Sequence, residues 1–250
     1  MLSLLLLKVK TLMNSQTNKP DDQIINLLSD AKIIDSWHRN AIPWITAIRE
    51  EQIDSRKLVT NNAIVEAVIS RSPSSVVDIG CGEGWLAHRL SSEGIDRILG
   101  VDVVPELIAQ AQTCSNAHFQ VLSYEDISRG AISEKFDVAV SNFSLLGKES
   151  VENLFQTVPD LLMTGGAFIV QTVHPVICCG DLPYVDGWHE GSWAGFSSDF
   201  NDPAPWYFRT LESWVRLFNE HGFSIEEIRE PLNPKTQKAA SIIFIGKCCG

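Results

Sequence analysis

The sequence predicts an α/β protein whose centre is a mostly parallel β-sheet covered by helices. Two observations carry that expectation: short β-branched runs alternate with segments of helical periodicity over residues 75–173, and a glycine-rich turn directly follows the first run. Composition agrees. Of 250 residues, 44% are hydrophobic and 20% charged, enough apolar surface for a core and too much for general disorder. Gly 16 and Pro 11 are ordinary shares, which excludes collagen-like and low-complexity chains. At about 150 residues per domain the length fits one decorated domain or a core with an appendage.

Taken in order, residues 1–20 read as a flexible leader, with Met13 an alternative start. The opening Met1-Leu-Ser-Leu-Leu-Leu-Leu-Lys8 has too short an apolar run, no preceding basic residue and no A-x-A site, so no export is expected. Residues 21–72 form an N-terminal helical cap, in which Trp37 to Arg71 divides into two helices near Asp54-Ser55-Arg56. Residues 73–250 form the core. Its first strand, Ser75-Val-Val-Asp-Ile79, runs into Gly80-Cys-Gly-Glu-Gly84, and a helix starts at Trp85. The second strand, Arg97-Ile-Leu-Gly-Val-Asp102, leads to a helix with Pro105 in its first turn. A third strand follows near 118–122 and a fourth at Phe136-Asp-Val-Ala-Val-Ser-Asn142. Val151, Leu154, Phe155 and Val158 mark an amphipathic helix that Pro159 kinks or ends, and Gly165-Gly166 turns the chain into a fifth strand over 167–173.

There the alternation stops. Residues 174–208 hold no Lys or Arg, but five acids and eight aromatics, in a chain with only 7 Trp, 3 Tyr and 11 Phe. Such an insertion reads as a lid. Thr210 then caps a helix with Leu211, Trp214, Val215 and Phe218 on one face and Gly222 past its end. Two closing strands, near 223–228 and 240–245, are close enough to pair as a hairpin.

The net charge of −11 repels phosphate backbones, so neither nucleic acid nor an anionic membrane is an expected partner. Nowhere do about 18 apolar residues run together, so no span is expected. Cys81, Cys114, Cys178, Cys179, Cys248 and Cys249 show no C-x-x-C and no His at zinc spacing, a reduced, cytoplasmic pattern with no metal site. Cys81 reads as a packing residue of the turn.

In open parallel sheets, ligands sit beyond the strands' carboxyl ends where the strand order reverses. The glycine turn belongs there, and its amides at a helix start suit an anion. Its spacing is G-x-G-x-G. A dinucleotide site wants G-x-G-x-x-G, which places the third Gly at Trp85, and no G-K-[ST] follows for a Walker loop.

Four motifs in order, Val76-Val-Asp-Ile-Gly-Cys-Gly-Glu-Gly84, Asp102, Glu125-Asp126-Ile127 and Leu161-Leu-Met-Thr-Gly-Gly-Ala167, resemble those of class I S-adenosylmethionine-dependent methyltransferases. The resemblance covers roughly residues 55–247. It implies a Rossmann-like three-layer sandwich with a seven-stranded sheet whose last strand is antiparallel. It also implies that Asp78 and the loop residues Gly80, Cys81, Gly82 and Gly84 hold the methionine end of S-adenosylmethionine, and that Asp102, with Val103 beside it, meets the ribose. Asp126 and the Ile127 backbone would meet adenine; Ser141 and Asn142 would lie near the amine. Arg56 is placed to pair with the cofactor carboxylate.

A sulfonium methyl is already electrophilic, so the protein mainly aligns the acceptor and, where needed, takes its proton. His174, just past the fifth strand, and His189 are the candidate general bases. Asn142 is followed by Phe143-Ser144 instead of the Pro-Pro-Tyr of methyltransferases acting on protein or nucleic-acid nitrogens. The expected acceptor is a small molecule, methylated on O or N, in a pocket of Trp188, Trp193, Trp206 and Tyr207 with Arg209 at its rim. The segment Trp206-Tyr-Phe-Arg-Thr-Leu-Glu-Ser-Trp214 resembles small-molecule and otherwise uncharacterised bacterial members. A monomer or homodimer is expected. The alternatives are a non-catalytic cofactor-binding member and a nicotinamide-dependent oxidoreductase.

Overall fold

The computed structural model describes residues 28–113 and 117–249. The leader at 1–20, the alternative start at Met13 and Cys114 lie outside the described residues, as does the beginning of the cap.

Among the described residues the strands are β1 (Ser75–Ile79), β2 (Arg97–Asp102), β3 (His118–Val121), β4 (Phe136–Asn142), β5 (Leu162–Thr172), β6 (Gly187–His189), β7 (Trp206–Phe208), β8 (Phe223–Arg229) and β9 (Ile242–Cys248). The helices are α1 (Asp30–Arg49), α2 (Asn61–Ile69), α3 (Trp85–Ser92), α4 (Pro105–Ala111), α5 (Tyr124–Ser128), α6 (Glu149–Thr157), α7 (Pro175–Cys178) and α8 (Leu211–Glu220), with a π-helical turn, Arg56–Thr60, leading into α2.

Seven strands form one sheet in the order β3-β2-β1-β4-β5-β9-β8. β1 to β5 pair in parallel, whereas β9 runs antiparallel to both β5 and β8. The Rossmann-like sheet with an antiparallel last strand is therefore present, and the closing hairpin with it. Alternate residues of each central strand point to opposite faces. Val77, Ile79, Val101, Phe168 and Phe244 pack with Leu154 and Phe155 of α6 and Phe218 of α8. Val76, Ile98, Val140, Ile169 and Ile243 pack on the other side with Ile64 of α2, Leu90 of α3 and Ile108 of α4. Burial on both faces explains why β1 and β4 read as near-continuous apolar runs.

Local expectations mostly hold. Thr210 Oγ1 accepts from Ser213 N at 3.2 Å, and Gly222 takes φ +79 beyond the helix end, a conformation that favours glycine. The expected turn at Gly165-Gly166 is a correction. Both residues lie inside β5, which starts at Leu162, and Gly165 takes φ +77 where the register with β4 shifts. The glycines absorb an irregularity in the strand instead of preceding it.

The aromatic segment opens with α7, and its β6 and β7 pair antiparallel as a small second sheet. Helix α1 grips the loop between them. Asn40 Oδ1 accepts from Asn201 N at 2.9 Å and Asn40 Nδ2 donates to Asn201 O at 2.7 Å, while Ser36 Oγ donates to Asp202 O at 2.6 Å. Lys32 and Arg39 both pair with the Asp202 carboxylate. On its other side α1 packs Ala41 and Ile45 against Val104 and Leu107 at the start of α4. Helix α1 and the segment between β6 and β7 are thus tied together.

Candidate functional site

Strand order reverses between β1 and β4, and the crevice at their carboxyl ends opens into a cavity of about 620 Å³. Its floor is the turn after β1. Gly80 has φ +76, and a Cβ there would lie 2.3 Å from Ser144 Cβ; Gly84 has φ +84, and a Cβ would lie 2.8 Å from Ala111 Cβ and 2.9 Å from the Phe119 ring. Both positions therefore need glycine, Gly84 for packing rather than for contact with the cavity. The amides of all four small loop residues are engaged within the protein. Gly80 N and Cys81 N donate to Val101 O, Gly84 N to Cys81 O, and Gly82 N to Asp102 Oδ2 at 2.9 Å.

Of the residues expected to meet a cofactor, Arg56, Asp78, Gly80, Cys81, Gly82, Asp102, Val103 and Asn142 line this cavity together. Asp102 also accepts from Val104 N at 2.9 Å, and burial is the main reason its carboxyl is raised above the usual range. Asp78 is 1% exposed, and its Oδ2 has no partner. Burial first, then the nearby Asp102 and Glu83, push it up to about 8. Glu83 Oε1, Arg56 Nη2 and Asn142 Oδ1 are also buried without partners. Burial raises Glu83, against the opposing pull of the Arg56 guanidinium.

Four expected residues stand off the wall. Gly84 packs under α4 and β3 as described. Ser141 is fully buried, its Oγ donating to Ile79 O at 3.3 Å. Ile127 is core. Asp126 turns back to the start of its own short helix, accepting from Ser123 N at 2.9 Å and Ser123 Oγ at 2.7 Å, which holds its carboxyl below the usual range. Ser123, Tyr124, Glu125 and Ser128 face the cavity in its place.

Trp193, Trp206, Tyr207 and Arg209 line the far end; Trp188 does not, and stacks edge-on against Tyr207 at 5.6 Å. Arg209 is no rim residue. It is 4% exposed, donates to Gly147 O at 2.8 Å and Lys148 O at 3.0 Å, and lies 4.9 Å from the Tyr207 ring. Neither candidate base is on the wall. His174 Nε2 meets Glu230 Oε1 at 2.6 Å, and His189 packs between Trp206 at 5.1 Å and Phe208 at 5.5 Å, where burial lowers its pKa.

Sequence reasoning missed Glu83, Tyr124, Trp37 and Trp44. The first is an acid inside a tight glycine turn and the last two are seven residues apart on α1, signals that an amphipathic reading of that helix exposes. Among the described residues no cluster of three or more metal-binding side chains occurs, and no helix is long and apolar enough to cross a membrane.

Residues 52–228 match a family described as Methyltransferase domain. An uncharacterised methyltransferase of Schizosaccharomyces pombe is 25% identical over 182 residues, 68% of this chain and 67% of that one. An uncharacterised methyltransferase of Mycobacterium tuberculosis is 30% identical over 164 residues, 62% of this chain and 82% of that one. Among solved structures, a Burkholderia thailandensis 1,6-didemethyltoxoflavin-N1-methyltransferase, with 1,6-didemethyltoxoflavin and S-adenosylhomocysteine bound, aligns over 95% of this chain and 94% of its own. Its TM-score is 0.59 at 15% identity, a likeness of fold.

Proposed function

The chain belongs to the methyltransferase domain family, and from that membership we propose that it moves a methyl group from S-adenosylmethionine to O or N of a small molecule held under the aromatic lid. The observation that carries this reading is the cavity's division into two ends. One gathers buried polar atoms without partners on Arg56, Asp78, Glu83 and Asn142; the other is walled by Trp37, Trp193, Trp206 and Tyr207.

The first end fits an amino-acid zwitterion. Asp78 Oδ2 and Glu83 Oε1 are free to accept from an ammonium, and Arg56 Nη2 to donate to a carboxylate. Asp102, at the end of β2, retains lone pairs beyond its two amide bonds to accept from ribose hydroxyls. Ser123, Tyr124 and Glu125 form the side on which an adenine packs. When bound, the cofactor supplies a sulfonium-activated methyl group. The protein's own contribution is alignment and exclusion of water: Trp193, Trp206 and Tyr207 cover the acceptor, and Arg209 fixes Tyr207 to the turn before α6. With both histidines off the wall, the acceptor's proton is passed to solvent or to a wall residue. The setting is cytoplasmic, the acceptor diffusible.

Calorimetric titration with S-adenosylhomocysteine, run beside Asp102→Ala, tests the reading. Micromolar binding that weakens by about 1–3 kcal/mol in the variant is expected, the usual cost of leaving buried hydrogen-bonding groups unpaired. Folded wild-type protein that binds none overturns it.

A further inference from the structure

Trp44 stands where the cofactor end of the cavity meets α1. Its Nε1 donates to Glu83 Oε2 at 3.1 Å, and the Arg56 guanidinium lies 5.6 Å from its ring and 4.8 Å from that of Trp85. Glu83 is 7% exposed and Arg56 9%, and each keeps a polar atom without a partner. Two of the three charged groups of the zwitterion site, Glu83 and Arg56, therefore rest on one indole.

The same helix face continues to the lid. Trp37 meets Trp44 edge-on at 5.1 Å and Trp193 at 5.9 Å, and Trp193 packs at a tilt against Phe200 at 4.7 Å. Between the two α1 tryptophans, Asn40 makes its paired bonds to Asn201, one turn from Trp44. A continuous path of packed rings and hydrogen bonds runs from Glu83 to the wall of the acceptor end.

We propose that Trp44 is a positioning residue: it sets Glu83 and Arg56 for the amino-acid end of the cofactor and, through α1, ties occupancy of that end to closure of the lid. This rests on the S-adenosylmethionine reading above. The energetics favour it. A buried carboxylate and guanidinium that each keep one polar atom without a partner cost free energy until a ligand supplies one. A ligand biases only the conformation it binds better, and one that satisfies Glu83 and Arg56 favours the arrangement in which both lean on Trp44 and α1 holds the lid. The cofactor then binds before the acceptor, because the acceptor's wall is completed by the helix the cofactor orders.

Two probes separate this from simple packing. S-adenosylhomocysteine carries the amino-acid end; 5′-methylthioadenosine shares its adenosine and thioether but lacks it. Trp44→Phe keeps a ring and removes the donor to Glu83. We expect S-adenosylhomocysteine to bind the variant about tenfold more weakly, as for a lost hydrogen bond to a charged group, with 5′-methylthioadenosine unchanged. In wild type, hydrogen exchange over 187–208 slows with the first ligand and not the second, and Trp44→Phe loses that protection. Glu83→Gln, which preserves shape, repeats the selective loss if Trp44→Phe does not fold. Equal weakening of both ligands, unchanged affinity for S-adenosylhomocysteine, or equal lid protection by 5′-methylthioadenosine overturns the proposal. Failure of wild type to bind S-adenosylhomocysteine overturns instead the reading on which it rests.

Discussion

Asp78 closes β1 with a carboxyl that burial, Asp102 and Glu83 push up to about 8. The unfolded chain releases that proton near 3.8, so between the two values the folded protein binds more protons and its stability falls as pH rises. Asp78→Asn cannot ionise. It is expected to unfold at a temperature roughly 4–8 °C higher at pH 8, corresponding to about 2 kcal/mol, with no gain near pH 4 and with loss of S-adenosylhomocysteine binding. A gain independent of pH in thermal scans would clear Asp78 of that role. Asp78 and Asp102 were legible because the glycine turn sets their register at two strand ends. Asp126 shows the limit of such reading: Ser123 captured its side chain locally, and Glu83 and Trp44 drew attention only once folding joined them.

At the scale of elements, the contact of α1 with the lid decides whether the cavity has a roof. Asn40 is buried and makes two bonds to Asn201, while its Nδ2 also donates to Ser36 O at 2.8 Å. Asn40→Ala leaves the Asn201 amide unpaired and its carbonyl with the Trp193 Nε1 donor at 2.9 Å, and is expected to cost about 1–3 kcal/mol locally. Because that cost falls on the lid, chymotrypsin should cut at Trp193, Phe196 or Phe200 about tenfold faster than in wild type while the sheet still melts as one unit. Unchanged cleavage would mean that Lys32, Arg39 and Ser36 suffice to hold Asp202. The lid's aromatic composition was plain in the sequence, yet which rings face inward was not. Trp188 and Tyr207 are cross-strand partners on the β6–β7 ribbon, yet only Tyr207 reaches the cavity while Trp188 packs edge-on against it, which separation in sequence cannot show.

For the whole molecule, the sheet's strand ends, α1 and the β6–β7 segment line one cavity, so a ligand in it should stabilise the protein as a unit. S-adenosylhomocysteine at a hundred times its Kd adds about 2.7 kcal/mol, expected to raise the melting temperature by roughly 5–10 °C in a single transition. A rise confined to a separate early transition would show that the cover melts apart from the sheet. The amino-acid sequence by itself determined the sheet, the limits of β1, β2 and β4 and the place of the ligand crevice, because β-branched runs, helical periods and a glycine turn are local properties of the chain. Only the tertiary structure decided which acids remain unpaired, that Arg209 is a buried tie and not a rim charge, that His174 and His189 stand off the wall, and that α1 roofs the site. Those outcomes depend on partners distant in sequence competing for each side chain, and which partner wins is settled only by packing.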